Sequence, residues 1–179
     1  ISTNTIICIQ LNSKTPELKD FRNLAADSIR KCKALGIKSV EWMVDPNQIT
    51  AILPSTIQAI TEGCVIGNYT FDTFKTKKDK KSITEILFTT PSKPIESKLK
   101  PAIKAGKIIG EAANLAKDLA NTPANYCQPS DIVALGKSLK KKHPKLKLTI
   151  IDQAKAKTLK MGSFLSVGQG SSSKSYILI

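Results

Sequence analysis

Histidine is almost missing from this chain of 179 residues: His143 is the only one. A serine or cysteine nucleophile activated by an imidazole therefore has a single candidate base, and it lies in Lys-Lys-Lys-His-Pro-Lys, which reads as a solvated turn. Cysteine is sparse too. Cys8, Cys32, Cys64 and Cys127 stand far apart with no Cys-x-x-Cys pair, whereas a structural zinc site draws four close ligands from Cys and His. Buried reduced thiols fit better, and with them a reducing compartment. Long apolar runs are lacking: Thr5 to Leu11 and Ser163 to Val167 fall far short of the roughly 20 residues that cross a bilayer. No charged, apolar, then small-residue pattern of a signal peptide opens the chain. The reading is a soluble, cytoplasmic protein without a membrane partner.

Acidic residues are scarce, 14 against 28 Lys and Arg, which leaves a net charge of +14 and a pI near 9.7. Such a balance points to nucleic acid, an anionic surface or an acidic partner. The excess is mostly Lys and concentrates in Lys75 to Lys81 and Lys137 to Lys147, with little Arg and no interleaved aromatics. Base-edge reading and base stacking are thus poorly supplied. A solvated surface is the first reading and contact with a phosphate backbone the second. Loss of an acidic half from a longer protein is a third.

What is present is an α/β pattern with 41% hydrophobic residues, enough to bury a core. Thr5 to Leu11 is a β-branched apolar run and reads as a buried strand. From Glu17 to Leu35 apolar residues recur at threes and fours, with Gly36 in the place of a C-terminal cap, so a helix is predicted there. Ile37 to Val44 resumes a strand pattern. Strand, helix and strand predict a right-handed β-α-β unit with parallel strands, and Trp42 within it reads as core packing. Ile49 to Phe74 predicts one or two helices bent or restarted at Pro54, with Thr50, Ile52, Ile57, Ile60, Val65, Ile66, Tyr69 and Phe71 as the apolar stripe. Lys75 to Lys81 forms an exposed connection and Ser82 to Thr89 another strand. Pro91, Pro94 and Pro101 mark a linker, with a domain boundary near residues 91 to 98.

The helix predicted from about Lys98 to Ala120 puts Leu99, Ile103, Ile109, Ala113, Ala116 and Ala120 on one face, flanked by Ala102, Ala105, Gly106, Gly110 and Ala112. So many small side chains let another element approach closely. After Asn121-Thr-Pro-Ala-Asn125, Pro129-Ser-Asp131 starts a helix with Ile132, Val133, Leu135 and Leu139 inward. Leu146 to Ile151 reads as a strand, Gln153 to Lys160 as a short helix, Gly162 to Gln169 as a strand or turn, and Tyr176 to Ile179 as a strand. Gly168 to Ser175 resembles a phosphate-cradling P-loop, but Ser173 stands where that motif needs Gly and a strand follows instead of a helix. A flexible loop is the better reading. Ile1 in place of an initiator Met, and a last strand with no turn after it, are read as the ends of a piece cut from a longer chain.

Three blocks resemble, in order, the leucine aminopeptidases, also called cytosol aminopeptidases. They are Glu62 to Lys75 (EGCVIGNYTFDTFK), Gly106 to Pro129, and Leu159 to Ser171 (LKMGSFLSVGQGS), the last with Lys160 in place of the family's Gly. The resemblance runs from roughly Glu17 to Ile179. It implies an N-terminal α/β domain over 1–92 that is entered partway along, a linker and interdomain helix over 93–120, and over 121–179 the first α/β elements of a C-terminal catalytic domain.

Members of that family are two-metal exopeptidases, usually homohexamers, that remove N-terminal residues from peptides. Two divalent ions, Zn or Mn, position and deprotonate a water and stabilise the tetrahedral oxyanion. The family's ligands lie in Gly-Lys-Gly-x-x-x-Asp-x-Gly-Gly and Asn-Thr-Asp-Ala-Glu-Gly-Arg, and neither motif occurs here. Asn121-Thr122-Pro123-Ala124 echoes the second with Pro and Ala where Asp and Glu would coordinate. No catalytic, metal-binding or cofactor-binding residue is therefore assigned to this chain. The expectation is a part of a metallo-aminopeptidase that is inactive alone. The alternatives are a stand-alone basic module, perhaps DNA-binding, and a paralogue without an active site.

Overall fold

A computed structural model describes residues 15–43, 53–78, 81–90 and 93–179. The predicted strand at Thr5 to Leu11, and Cys8 with it, lies outside the described residues. The chain forms two compact units, 1–118 and Leu119–Ile179.

The first unit begins with α1 (Leu18–Ala34), entered through a capping box in which Glu17 and Asp20 each satisfy the other's backbone N–H. Ala25, Ala26, Ser28, Ile29 and Cys32 form its buried stripe. It ends in a Schellman cap: Ile37 N–H donates to Cys32 O (3.0 Å) and Gly36 N–H to Lys33 O (3.0 Å), with Gly36 at φ +79. Strand β1 (Ser39–Met43) follows. It pairs in parallel with β2 (Glu85–Thr89), matching Val40 to Ile86 and Trp42 to Phe88. The β-α-β unit seen among the described residues is thus β1, α2 (Leu53–Asn68) and β2.

Helix α2 is one element. Pro54 falls in its first turn, where a missing N–H costs nothing, so it neither bends nor splits the helix. Tyr69 and Phe71, expected on its stripe, lie beyond its end. A larger correction concerns the prolines read as a linker. Helix α3 spans Lys93–Asn121 without a break, with Pro101 inside it. Its buried face begins as predicted at Leu99 and then shifts onto the flanking small residues. Leu99, Ala102, Gly106 and Gly110 are buried, while Ile109, Ala116 and Ala120 are exposed. The physical reason is proximity: beyond Leu99 the helix turns its small residues Ala102, Gly106 and Gly110 inward, and the two glycines meet its neighbour closely.

The core joins Ala25, Ile29 and Cys32 of α1, Ile57, Ile60 and Cys64 of α2, Ile83, and Leu99 and Ala102 of α3, with Val40, Trp42, Ile86 and Phe88 of the sheet packed against it.

The second unit holds α4 (Pro129–Lys142), with Gln128 and Asp131 in another capping box, then β3 (Ile150–Ile151), α5 (Gln153–Thr158), α6 (Gly162–Val167) and β4 (Ile177–Leu178). Strands β3 and β4 are antiparallel. Val133, Ile151 and Ala156 are buried. Three expectations change here. Ile132 points outward at 41% exposure, β3 is shorter than Leu146 to Ile151, and Gly162 to Val167 is helical. Asp152 caps α5 by accepting from Lys155 N–H at 2.9 Å. The end of α5 repeats the cap of α1, with Met161 N–H donating to Ala156 O (3.0 Å) and Lys160 N–H to Lys157 O (3.0 Å). Here the left-handed position, φ 56, is filled by Lys160.

Candidate functional site

The first two blocks quoted above are packing surfaces. In the first, Gly63 and Gly67 lie one turn apart on α2 and face α1. A Cβ on Gly63 would run into the carbonyl oxygen of Arg22 and sit 2.8 Å from Ala25 Cβ, and one on Gly67 would be 2.5 Å from Ala26 O. In the second, Gly106 and Gly110 lie one turn apart on α3 and face α2. Added Cβ atoms there would meet Gln58 O at 2.5 Å and Val65 Cβ at 2.7 Å. Glycine at all four positions permits backbone-to-backbone approach that any side chain would prop apart.

Polar bonds lock the same contacts. Glu62, buried on α2, accepts from Arg22 Nε of α1 at 2.6 Å and from Gln58 Nε2 at 2.9 Å. Asn114 Nδ2 of α3 donates to Val65 O of α2 at 3.1 Å. Asn68, the last residue of α2, holds both backbone groups of Ile83: its Nδ2 donates to Ile83 O (2.8 Å) and its Oδ1 accepts from Ile83 N–H (2.9 Å). This side-chain amide acts as a substitute strand and sets where β2 begins.

Cys32 and Cys64 are buried and free, and Cys127 is half-buried and free. Burial pushes the Cys64 thiol up to about 12, with a weak opposing pull from the Trp42 side chain and a further rise from nearby Cys32. Burial also raises Cys32, partly offset by its backbone hydrogen bond. These thiols stay protonated and unreactive near neutral pH. The buried Trp42 Nε1 has no partner of ordinary hydrogen-bond geometry, so the Cys64 sulfur beside it is only a weak substitute acceptor.

In the second unit the end of the second block meets the loop after the third. Gln128 Nε2 donates to Ala124 O at 2.7 Å and Gln128 Oε1 accepts from Ser173 Oγ at 2.6 Å. The turn at Pro123 closes through Tyr126 N–H to Pro123 O at 2.8 Å. Neither contact supplies a nucleophile with a base. His143 is exposed at the end of α4.

Among the described residues no group of three or more His, Cys, Asp or Glu could hold a metal ion. The described residues thus do not fit a two-metal centre. Nor, among the described residues, is any helix long and apolar enough to cross a membrane.

The first unit does have a cleft of about 390 Å³, lined by Arg30, Lys33, Ala34, Ile66, Gly67, Tyr69, Lys81 and Lys117. Composition signalled its charge. Its location was hidden because the four cations lie in three separate stretches of the chain.

Helices crossing on glycine over a parallel strand pair, followed by a smaller unit of helices and an antiparallel strand pair, define an α/β protein of the leucine aminopeptidase fold. A mutant of tomato leucine aminopeptidase superposes with a TM-score of 0.78 at 18% identity, over 93% of this chain and 33% of that one. The bottromycin maturation enzyme BotP in complex with Mn gives 0.71 at 22% identity, over 90% and 32%. The sequence goes further than the fold. Residues 12–78 match the cytosol aminopeptidase family, N-terminal domain, and residues 114–179 match the cytosol aminopeptidase family, catalytic domain. The chain belongs to the cytosol aminopeptidase family.

Among curated relatives, the probable cytosol aminopeptidase of Sulfurihydrogenibium sp. (strain YO3AOP1) is 30% identical over 173 residues, covering 96% of this chain and 34% of the relative. That of Clostridium perfringens (strain 13 / Type A) is 32% identical over 172 residues, covering 93% and 34%. The chain spans about a third of the length of the curated relatives it matches.

Proposed function

We propose that the whole protein to which this chain belongs is a metal-dependent aminopeptidase of the leucyl type, a hydrolase releasing N-terminal residues from peptides, and that the 179 residues alone do not hydrolyse. The carrying observation is the match to both domains of one family in the family's order, over residues 12–78 and 114–179. The interdomain helix and the domain limits 1–92, 93–120 and 121–179 belong to this reading. The long α3, Lys93–Asn121, supports it by lying largely between the two matched segments.

Two divalent ions, zinc or manganese, a homohexameric assembly and a cytoplasmic location complete the proposal. Manganese in the similar BotP structure supports the metal, and the name cytosol aminopeptidase among relatives supports the location. Inactivity of the chain alone rests on its sequence, which contains neither ligand motif.

A leucyl amide assay with added Mn or Zn tests the reading in two arms. The 179-residue chain should give no metal-dependent release above background, and a protein of the relatives' full length should turn over and lose activity to a chelator. Metal-dependent turnover by the 179 residues would refute the first claim. A full-length protein inert with either metal would refute the second, and would leave the paralogue without an active site as the better description.

The net charge of +14 favours a second reading, a stand-alone basic module that binds DNA through its backbone. Such binding weakens steeply with salt, so an absence of duplex binding at low ionic strength removes it.

A further inference from the structure

The cleft of the first unit gathers like charge from separate parts of the chain. Arg30 and Lys33 come from α1, Lys81 from the segment before β2, and Lys117 from the last turns of α3. Arg30 pairs with Asp27. The other cations have neutral oxygens or a ring among their partners. Lys33 Nζ donates to Asn68 O at 3.3 Å and to Thr70 Oγ1, Lys81 Nζ to Ala34 O at 3.0 Å, and Lys117 Nζ lies 5.1 Å from the Tyr69 ring centroid. Asp118 accepts from Tyr69 Oη at 2.8 Å.

Bonds from Lys33 to a carbonyl and a hydroxyl fix where its ammonium sits without cancelling its charge, and a ring face under Lys117 does the same. Two held, half-buried ammonium groups in a concave wall focus a positive potential. Ala34, small and exposed in the lining, leaves room for a ligand. A volume of about 390 Å³ suits a small molecule and is at the lower end of ligand pockets. Lys is a compact point charge well matched to phosphate oxygens.

We propose that this cleft is a binding site for a small anion carrying a diphosphate group, either free pyrophosphate or the diphosphate of a nucleotide. The site lies in the N-terminal unit and needs neither metal nor peptidase chemistry.

Calorimetric titration of the 179-residue chain with inorganic pyrophosphate at low ionic strength tests it, with ADP as the second probe. The expected result is saturable binding of one anion per chain that weakens with added salt. Lys33→Gln with Lys117→Gln should weaken it roughly tenfold or more, since each removes a charge-assisted contact. Lys117→Gln alone, whose ammonium lies over the Tyr69 ring, keeps the test valid if the double variant melts early. The triple change Lys140→Gln, Lys141→Gln and Lys142→Gln on α4 removes more charge, from residues that do not line the cleft, and should leave the affinity within about twofold, because exposed charge outside the lining is screened. ADP binding as tight as pyrophosphate assigns the nucleotide, and pyrophosphate binding without ADP binding assigns the free anion. The proposal falls if pyrophosphate gives no saturable heat, or if the α4 triple variant weakens binding as much as the cleft variants do.

Discussion

Gly63 is the residue on which the crossing of α1 and α2 depends most. A methyl group there has nowhere to go, because the obstacle is the Arg22 carbonyl, part of a helix backbone. Gly63→Ala should therefore destabilise the first unit by about 1–3 kcal/mol, the usual cost of overpacking, and lower its melting temperature. Gly162→Ala, with open space around it, should not. Equal melting of the two variants would contradict the close crossing.

Lys160 poses the opposite case. It occupies the left-handed position of the α5 cap at φ 56, where a side chain costs roughly 1 kcal/mol or more that glycine avoids. Lys160→Gly should raise stability by about 0.5–1 kcal/mol in urea unfolding followed through the second unit. A loss of stability would mean that the lysine side chain contributes more than its backbone strain costs. The position was visible beforehand as the place where the third block departs from the family's glycine. The strain was not, since a dihedral angle has no signature in composition.

At the level of elements, α1 was legible almost to the residue because its apolar spacing and Gly36 agree. Helix α3 was legible as a helix, with Leu99 inward and small residues for close packing, but not in its start, nor in the exposure of Ile109, Ala116 and Ala120. Proline density around residues 91–101 reads as a break, yet a proline in the first turns of a helix gives up little, and one at Pro101 is tolerated within a long element. Periodicity favours Ile109 as a core residue because it weighs size, whereas the actual contact selects for smallness. The four-residue spacing of Gly63 and Gly67, and of Gly106 and Gly110, was the available signal for both crossings.

The junction of α2 and β2 went unread, because an asparagine at a helix end gives no hint that it will pair with a backbone 15 residues on. Asn68→Ala should cost about 1–3 kcal/mol, since it removes two hydrogen bonds and leaves the Ile83 amide of a buried residue unsatisfied. Amide exchange at Ile83 should accelerate with it. Unchanged protection at that amide would count against the clamp.

For the whole molecule, fold class and family were readable from three ordered blocks, and the cleft was not, because charge counts carry no coordinates. The folded state also has a pH limit set by its core. Cys64 titrates near 9.0 when exposed and near 12 in the fold, so above pH 9 the unfolded chain sheds a proton that the folded chain keeps. By linkage, stability is at its full value below about pH 9 and falls as pH rises from 9 toward 12, with a slope of up to one proton from this thiol. Cys32 is shifted in the same direction and adds to the fall. Unfolding free energies measured from pH 7 to 11 should decline in this window, and Cys64→Ala should flatten the decline. An identical slope in the variant would assign the effect to other groups.

The four glycine contacts also differ in whether a second mutation can repair a first. At Gly110 the atoms in the way are Val65 Cβ and Cγ1, so a Gly110→Ala lesion has a suppressor, Val65→Gly, which removes both atoms. At Gly63 and Gly67 the nearest obstacles are the main-chain oxygens of Arg22 and Ala26, which every amino acid carries. No substitution opposite them restores the gap. A random search for second-site revertants should thus find a compensating change for Gly110→Ala, and recover lesions at Gly63, Gly67 and Gly106, the last opposed by Gln58 O, only by true reversion to glycine.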